Sequence, residues 1–169
     1  MKNISDDEIK KDLMLRGFYQ IHPVSEKEFL SMIEPELKGE DELLSLHVKF
    51  CKKYGPPKLG TSRATYIGKK FVFKLPITMA GYRDNDWEGS IVSIGKEGDE
   101  YHVPIARSKL LPRVDIPVVV MEKVEETDLD EIIKRFGKLP DFVSIVDSGQ
   151  VGYNRKGRLV AFDYADIII

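Results

Sequence analysis

Apolar positions recur at helical spacing through the first third of the chain, then give way after Pro56 to short alternating and continuous runs. Ser5 followed by Glu8 forms a capping-box pattern, with Ile9 and Leu13 sharing one face of the helix it predicts. Ser25 and Glu28 repeat the signal ahead of Phe29, Leu30, Ile33 and Leu37. A third helix is predicted from Leu43, Leu44, His47, Phe50, Cys51 and Tyr54. Gly55-Pro56-Pro57 stops it, because glycine accepts the left-handed cap and proline cannot continue the hydrogen-bond ladder.

Beyond Pro56, Arg63–Ile67 and Lys70–Leu75 predict a hairpin about Gly68-Lys69. Lys74 falls on the strand face opposite Phe71 and Phe73. Asn85 to Ile94 predicts a helix with Trp87, Ile91 and Ile94 aligned, and Val103–Leu111 and Pro117–Met121 predict two strands. Val118-Val119-Val120 is the continuous run of a buried strand. A short helix is expected over Leu129–Phe136, then a hairpin from Gln150–Asn154 and Leu159–Phe162 about Lys156-Gly157. Such short connections cannot make parallel crossovers, so the strands are expected to be largely antiparallel. The class is α+β, with a helical region over 1–55 preceding a mixed region over 56–169 in one compact unit.

Composition narrows the functions. Hydrophobic residues make up 42% of 169 and charged residues 32%, enough for a core and a solvated surface. The formal charge of −2 gives no global pull toward nucleic acid. One cysteine, Cys51, cannot form an internal disulfide, and its helical context makes it a small buried hydrophobe. With three histidines it makes a poor metal set. No run approaches the ~20 apolar residues of a membrane helix and no leader-like segment opens the chain, so a cytoplasmic location is expected.

Five short segments carry candidate chemistry. Gly60-Thr61-Ser62-Arg63 precedes the first hairpin strand; Lys74 ends Val72-Phe73-Lys74; Glu88 ends Asn85-Asp86-Trp87-Glu88. Met121-Glu122-Lys123-Val124 leaves an apolar strand, and Asp163 lies in Gly157-Arg158-Leu159-Val160-Ala161-Phe162-Asp163-Tyr164. In this order they resemble a protein-kinase amino-terminal lobe. More closely, they resemble a group of small kinase-like proteins encoded by bacteriophages. The resemblance covers about two-thirds of the chain and leaves residues 1–57 unexplained.

The resemblance implies a kinase-like N-lobe antiparallel sheet with one main helix, a reduced C-lobe stub and an N-terminal helical extension. Gly60 and Ser62 would lie near phosphates, Lys74 would pair with Glu88, Met121 and Glu122 would receive adenine, and Asp163 would hold magnesium. Asp147, upstream, stands about where a catalytic-loop aspartate is expected. Each residue also has a plainer reading: Gly60, Asp147 and Asp163 as turn residues, Lys74 as an edge-strand lysine, Glu88 as a solvated helix charge, and Met121-Glu122 as a strand leaving the core.

Departures from the kinase pattern decide between the functions it implies. The glycine series is reduced to Gly60, the histidine-arginine pair before the catalytic aspartate is missing, and Gly152 stands where a second metal ligand is expected. Gln150 and Asn154 are the nearby candidates to replace it. Asp163 is followed by six residues, leaving no activation segment or substrate-docking helices. The leading expectation is therefore a pseudokinase-like binding protein that grips a host protein in the host cytoplasm. The alternatives are a minimal phosphotransferase using ATP and Mg2+, and an α+β interaction module without a nucleotide site. The acidic residues from Glu122 to Glu131 read as a solvated helix face or as a contact for a basic partner. Arg155-Lys156-Arg158 reads as a solvated turn or as a local nucleic-acid patch.

Overall fold

The structure, a computed structural model, describes residues 20–21, 24–37, 39–99, 102–146 and 150–164. The helix expected from Ser5 to Leu13, and Asp147, lie outside them. Four α-helices are described: α1 (Glu26–Met32), α2 (Glu40–Tyr54), α3 (Met79–Ser90) and α4 (Leu129–Phe136). Six strands build the main sheet: β1 (Gln20–Ile21), β2 (Lys58–Leu59), β3 (Arg63–Ile67), β4 (Phe71–Pro76), β5 (Ser108–Leu110) and β6 (Val119–Glu122). Their order is β1-β2-β3-β4-β6-β5. A second sheet has the order β7-β8-β9, from Glu125–Glu126, Val151–Tyr153 and Leu159–Ala161. Every strand pair in both sheets is antiparallel. The fold is thus mixed α+β. No helix among the described residues is long and apolar enough to cross a membrane.

Local chemistry accounts for the helix ends. Ser25 and Glu28 form the expected capping box, the Glu28 amide donating to Ser25 Oγ and the Ser25 amide to Glu28 Oε2. The helix ends at Met32, earlier than the apolar spacing suggested, because Pro35 disfavours the helical region for the residue before it. Ile33 and Leu37 still reach the core, but from an irregular segment. Tyr54 ends α2 as expected, with Gly55 at φ +86°.

Helix α3 corrects the prediction most. It is capped by Thr78, whose hydroxyl accepts from the Gly81 amide, and it ends at Ser90. Ile91 is already extended, Ile94 bridges to Val103, and Trp87 is partly exposed, so those three residues do not form one helical face. The buried stripe is Gly81, Asn85 and Glu88, which no hydrophobic pattern reveals. The strand expected over Val103–Leu111 is likewise broken. Val103 bridges Ile94, Ile105 bridges Ala161, and only Ser108–Leu110 joins the main sheet. Pro104 lacks the amide that a continuous ladder needs.

The described residues before Pro56 are built into the sheet and contribute a strand as well as helices. Strand β1 pairs with β2, and α1 and α2 share one apolar cluster with Ala64, Tyr66, Leu75 and Val118. Phe50 packs against Tyr66 and Phe73 at centroid distances of 5.3 and 5.0 Å, and Tyr54 stacks on Phe73 at 4.9 Å. Cys51 is half-buried against this cluster, less enclosed than expected. A second cluster gathers Ile94, Val119, Met121, Ile132 and the β8–β9 hairpin. The two sheets meet where the Ala106 amide donates to the Ala161 carbonyl and the Ala161 amide to the Pro104 carbonyl, both at 2.8 Å.

His47 lies inside the first cluster, stacked on Phe29 at 4.1 Å. Its Nε2 lies 3.1 Å from the Val24 carbonyl, which can only accept, so Nε2 carries the proton. Nδ1 then accepts from the Tyr66 hydroxyl at 2.6 Å. Burial holds the imidazole pKa below its usual value, against the backbone hydrogen bond to Val24 and the nearby Glu26 charge. The unfolded chain therefore takes up the proton first as pH falls. Stability is full above about pH 6.5 and declines below it, with a slope of at most ~1.4 kcal/mol per pH unit for one proton. Urea denaturation from pH 8 to pH 5 checks this, and the slope between pH 6.5 and 5 should shrink in His47→Phe.

Candidate functional site

Lys74 alternates with Phe73 along β4, so the aromatic side faces α2 while the amine enters the opposite side of the sheet. Lys74 is 5% exposed and Glu88 fully buried. The Lys74 amine donates to Glu88 Oε2 and to the Phe162 carbonyl, each at 2.9 Å, and lies 3.8 Å from Asp163 Oδ1. A strand lysine, a helix glutamate and an aspartate following β9 thus converge, as their order along the chain led us to expect.

Asn85 explains how α3 aims Glu88. One turn upstream on the same face, its Nδ2 donates to the carbonyls of Lys74 and Pro117, both at 2.8 Å. Those bonds staple the helix to β4 and to the segment entering β6. The Ser108 hydroxyl donates its one proton to the Glu88 carbonyl at 2.6 Å and so accepts from Tyr164 Oη at 2.7 Å, fixing the far end of the helix.

Arg63 is the residue that sequence reasoning missed. It opens β3 and is 9% exposed. Its Nη1 lies 3.1 Å from Glu88 Oε1, Nη2 pairs with Asp163, and Nη1 donates to Asn85 Oδ1 at 3.4 Å. Two cations and two carboxylates therefore form one closed network. Burial works to raise the Asp163 pKa, but Lys74 and Arg63 outweigh it and hold the carboxyl below its usual range. Burial likewise opposes the Arg63 charge, and Glu88 and Asp163 more than restore it. The available signal was an arginine at the start of a half-buried strand, a position that demands an anionic partner.

The other predicted residues divide. Met121 is buried in β6 and lines a cleft with Thr65, Val72, Lys74, Phe162 and Asp163. Glu122 also borders this cleft, but its carboxylate is engaged elsewhere: Oε1 accepts from the Arg107 amide at 2.9 Å and Oε2 from Arg107 Nη2 at 3.4 Å. Its own amide donates to the Arg107 carbonyl. Gly60 and Ser62 sit in the β2–β3 turn away from the cleft lining. The Gly60 amide donates to the Arg63 carbonyl, and the Ser62 carbonyl accepts from the Ile77 amide. Across the mouth, Lys58 and Glu126 pair at 3.6 Å.

The resemblance implies ATP and Mg2+ here, in a narrow cleft whose charges are already paired with one another. The cleft holds about 120 Å³, below the ~300–1,000 Å³ of typical small-molecule sites. Asp163, the proposed magnesium ligand, already faces Arg63 and Lys74. No group of three or more His, Cys, Asp or Glu side chains is placed to hold a metal among the described residues. Comparison with known protein families, curated proteins and solved structures finds no match to this chain.

Proposed function

We propose that the chain is a kinase-like binding protein that transfers no phosphate and works by gripping a partner protein, a host protein if the bacteriophage resemblance holds. The order of strand lysine, helix glutamate and late aspartate supports the kinase-like part, together with the 2.9 Å Lys74–Glu88 contact. The observation that carries the loss of catalysis is Arg63. Its guanidinium bridges Glu88 and Asp163, so the cleft charges neutralise one another and brace the sheet. A second reading, a minimal ATP–Mg phosphotransferase, is favoured by the 3.8 Å approach of Lys74 to Asp163 and requires Arg63 to leave that aspartate.

A thermal-shift titration separates the two. A ligand that binds only the folded state at a hundred times its Kd adds about 2.7 kcal/mol, which moves a domain of this size by several degrees. Millimolar ATP with magnesium is expected to leave the melting temperature unchanged in wild type and in Lys74→Ala alike. A saturable rise confined to wild type, or phosphate transfer lost in Asp163→Ala, overturns the non-catalytic reading.

A further inference from the structure

A larger groove lies outside the cleft. It is walled by the segment following α3, the approach to β5, the end of α4 and the β8–β9 turn, and holds about 620 Å³. Its apolar surface comes from Pro104, Ile105 and Phe142, with Val92 and Phe136 on the rim at 92% and 49% exposure. Single exposed apolar side chains are ordinary, but these share one concave surface. Phe136 also continues a stripe on α4 with Leu129 and Ile133 at i, i+4, i+7 spacing, all three more than two-fifths exposed.

The charges beside that surface are mostly positive, with Glu97 and Glu122 among them, and Arg135 also borders a neighbouring pocket lined by Glu125, Glu126 and Glu131. Arg107 is paired with Glu122. Among the described residues no carboxylate lies within ion-pair distance of Arg135, Lys156 or Arg158. Nor are they loosely placed. The Arg135 guanidinium stacks over Tyr153 at 4.4 Å. Asn154 Oδ1 accepts from the Lys156 and Arg158 amides at 3.0 and 3.1 Å, setting the turn that carries both cations.

We propose that this groove docks an acidic segment of a partner protein, its apolar side chains on the floor and its carboxylates against Arg135, Lys156 and Arg158. Complementary charge at the rim of an apolar surface sets both the register and the encounter rate of such contacts. A nucleic acid fits less well. Its floor of Pro104, Ile105 and Phe142 takes apolar side chains, and Glu97 and Glu122 beside the cations disfavour an occupant that carries a charge at every unit, as a phosphate backbone does. The proposal extends the binding-protein reading to a second surface and is tested without nucleotide, so either can fail alone.

Selection of a displayed random-peptide library on the intact protein tests it. Selected sequences should be enriched in aspartate and glutamate beside leucine or phenylalanine. A synthetic peptide from that set should lose at least about tenfold in affinity on Arg135→Glu/Arg158→Glu, and likewise weaken on Lys156→Glu, a single change in an exposed turn. Lys49→Glu, on α2 away from the groove, should bind as wild type does, and melting curves confirm that each variant is folded. Enrichment without acidic residues, affinity that survives the charge reversals, or tighter binding of a single-stranded DNA oligonucleotide overturns the proposal.

Discussion

Glu88→Ala is expected to cost about 3–5 kcal/mol of stability, because it leaves two buried cations facing one carboxylate. Glu88 is fully buried and contacts Lys74 at 2.9 Å and Arg63 at 3.1 Å. Neither cation can turn to water without abandoning Asp163 or the Phe162 carbonyl. Urea unfolding followed by the fluorescence of Trp87, the chain's one tryptophan, measures the loss. The paired change Lys74→Met/Glu88→Leu should cost less than Glu88→Ala alone, because it removes a cation together with its anion and leaves Arg63 with Asp163. Equal or greater loss in the double variant would show that the Lys74 bond to the Phe162 carbonyl, rather than charge balance, dominates.

Gly81→Ala should destabilise the protein by about 1–3 kcal/mol, although the same change inside a helix ordinarily gains up to about 1 kcal/mol. A Cβ at Gly81 would lie 2.1 Å from the Ser62 carbonyl oxygen and 3.0 Å from its carbon. That carbonyl is held by the Ile77 amide, so the helix must lift from the sheet. Gly89 in the same helix gives the comparison. Its Cβ would meet Leu110 Cδ2 at 2.3 Å and Cγ at 2.6 Å, a side chain that can shift, with the Leu110 amide nitrogen farther off at 3.2 Å. Gly89→Ala should therefore cost less than Gly81→Ala in the same unfolding experiment. The reverse order would mean that α3 is not seated on the β2–β3 turn as described.

Those two positions mark the limit of what was legible in the sequence. The hairpins and α4 followed from turn residues and spacing, because Gly-Lys and Lys-Gly turns and a helix capped by Asp128 are locally determined. Helix α3 did not, because its buried stripe is glycine, asparagine and glutamate; the signal is hydrogen bonding to Lys74 and Pro117, which no apolar period reports. The convergence of Lys74, Glu88 and Asp163 was readable as an order of motifs. Arg63 was quoted within a motif and given no role, since its partners are 25 and 100 residues away and only the closed sheet brings them together. Glu122 was legible as a position but not as a chemistry, because its engagement by Arg107 depends on β5 pairing beyond β6.

The 100-residue separation of Arg63 from Asp163 also bears on synthesis. While the chain emerges from the ribosome, Arg63, Lys74 and Glu88 are all made long before Asp163, so a nascent sheet carries two cations over a single carboxylate. Completing the network is thus a long-range contact, whose loop-closure entropy is met before the contact stabilises the fold.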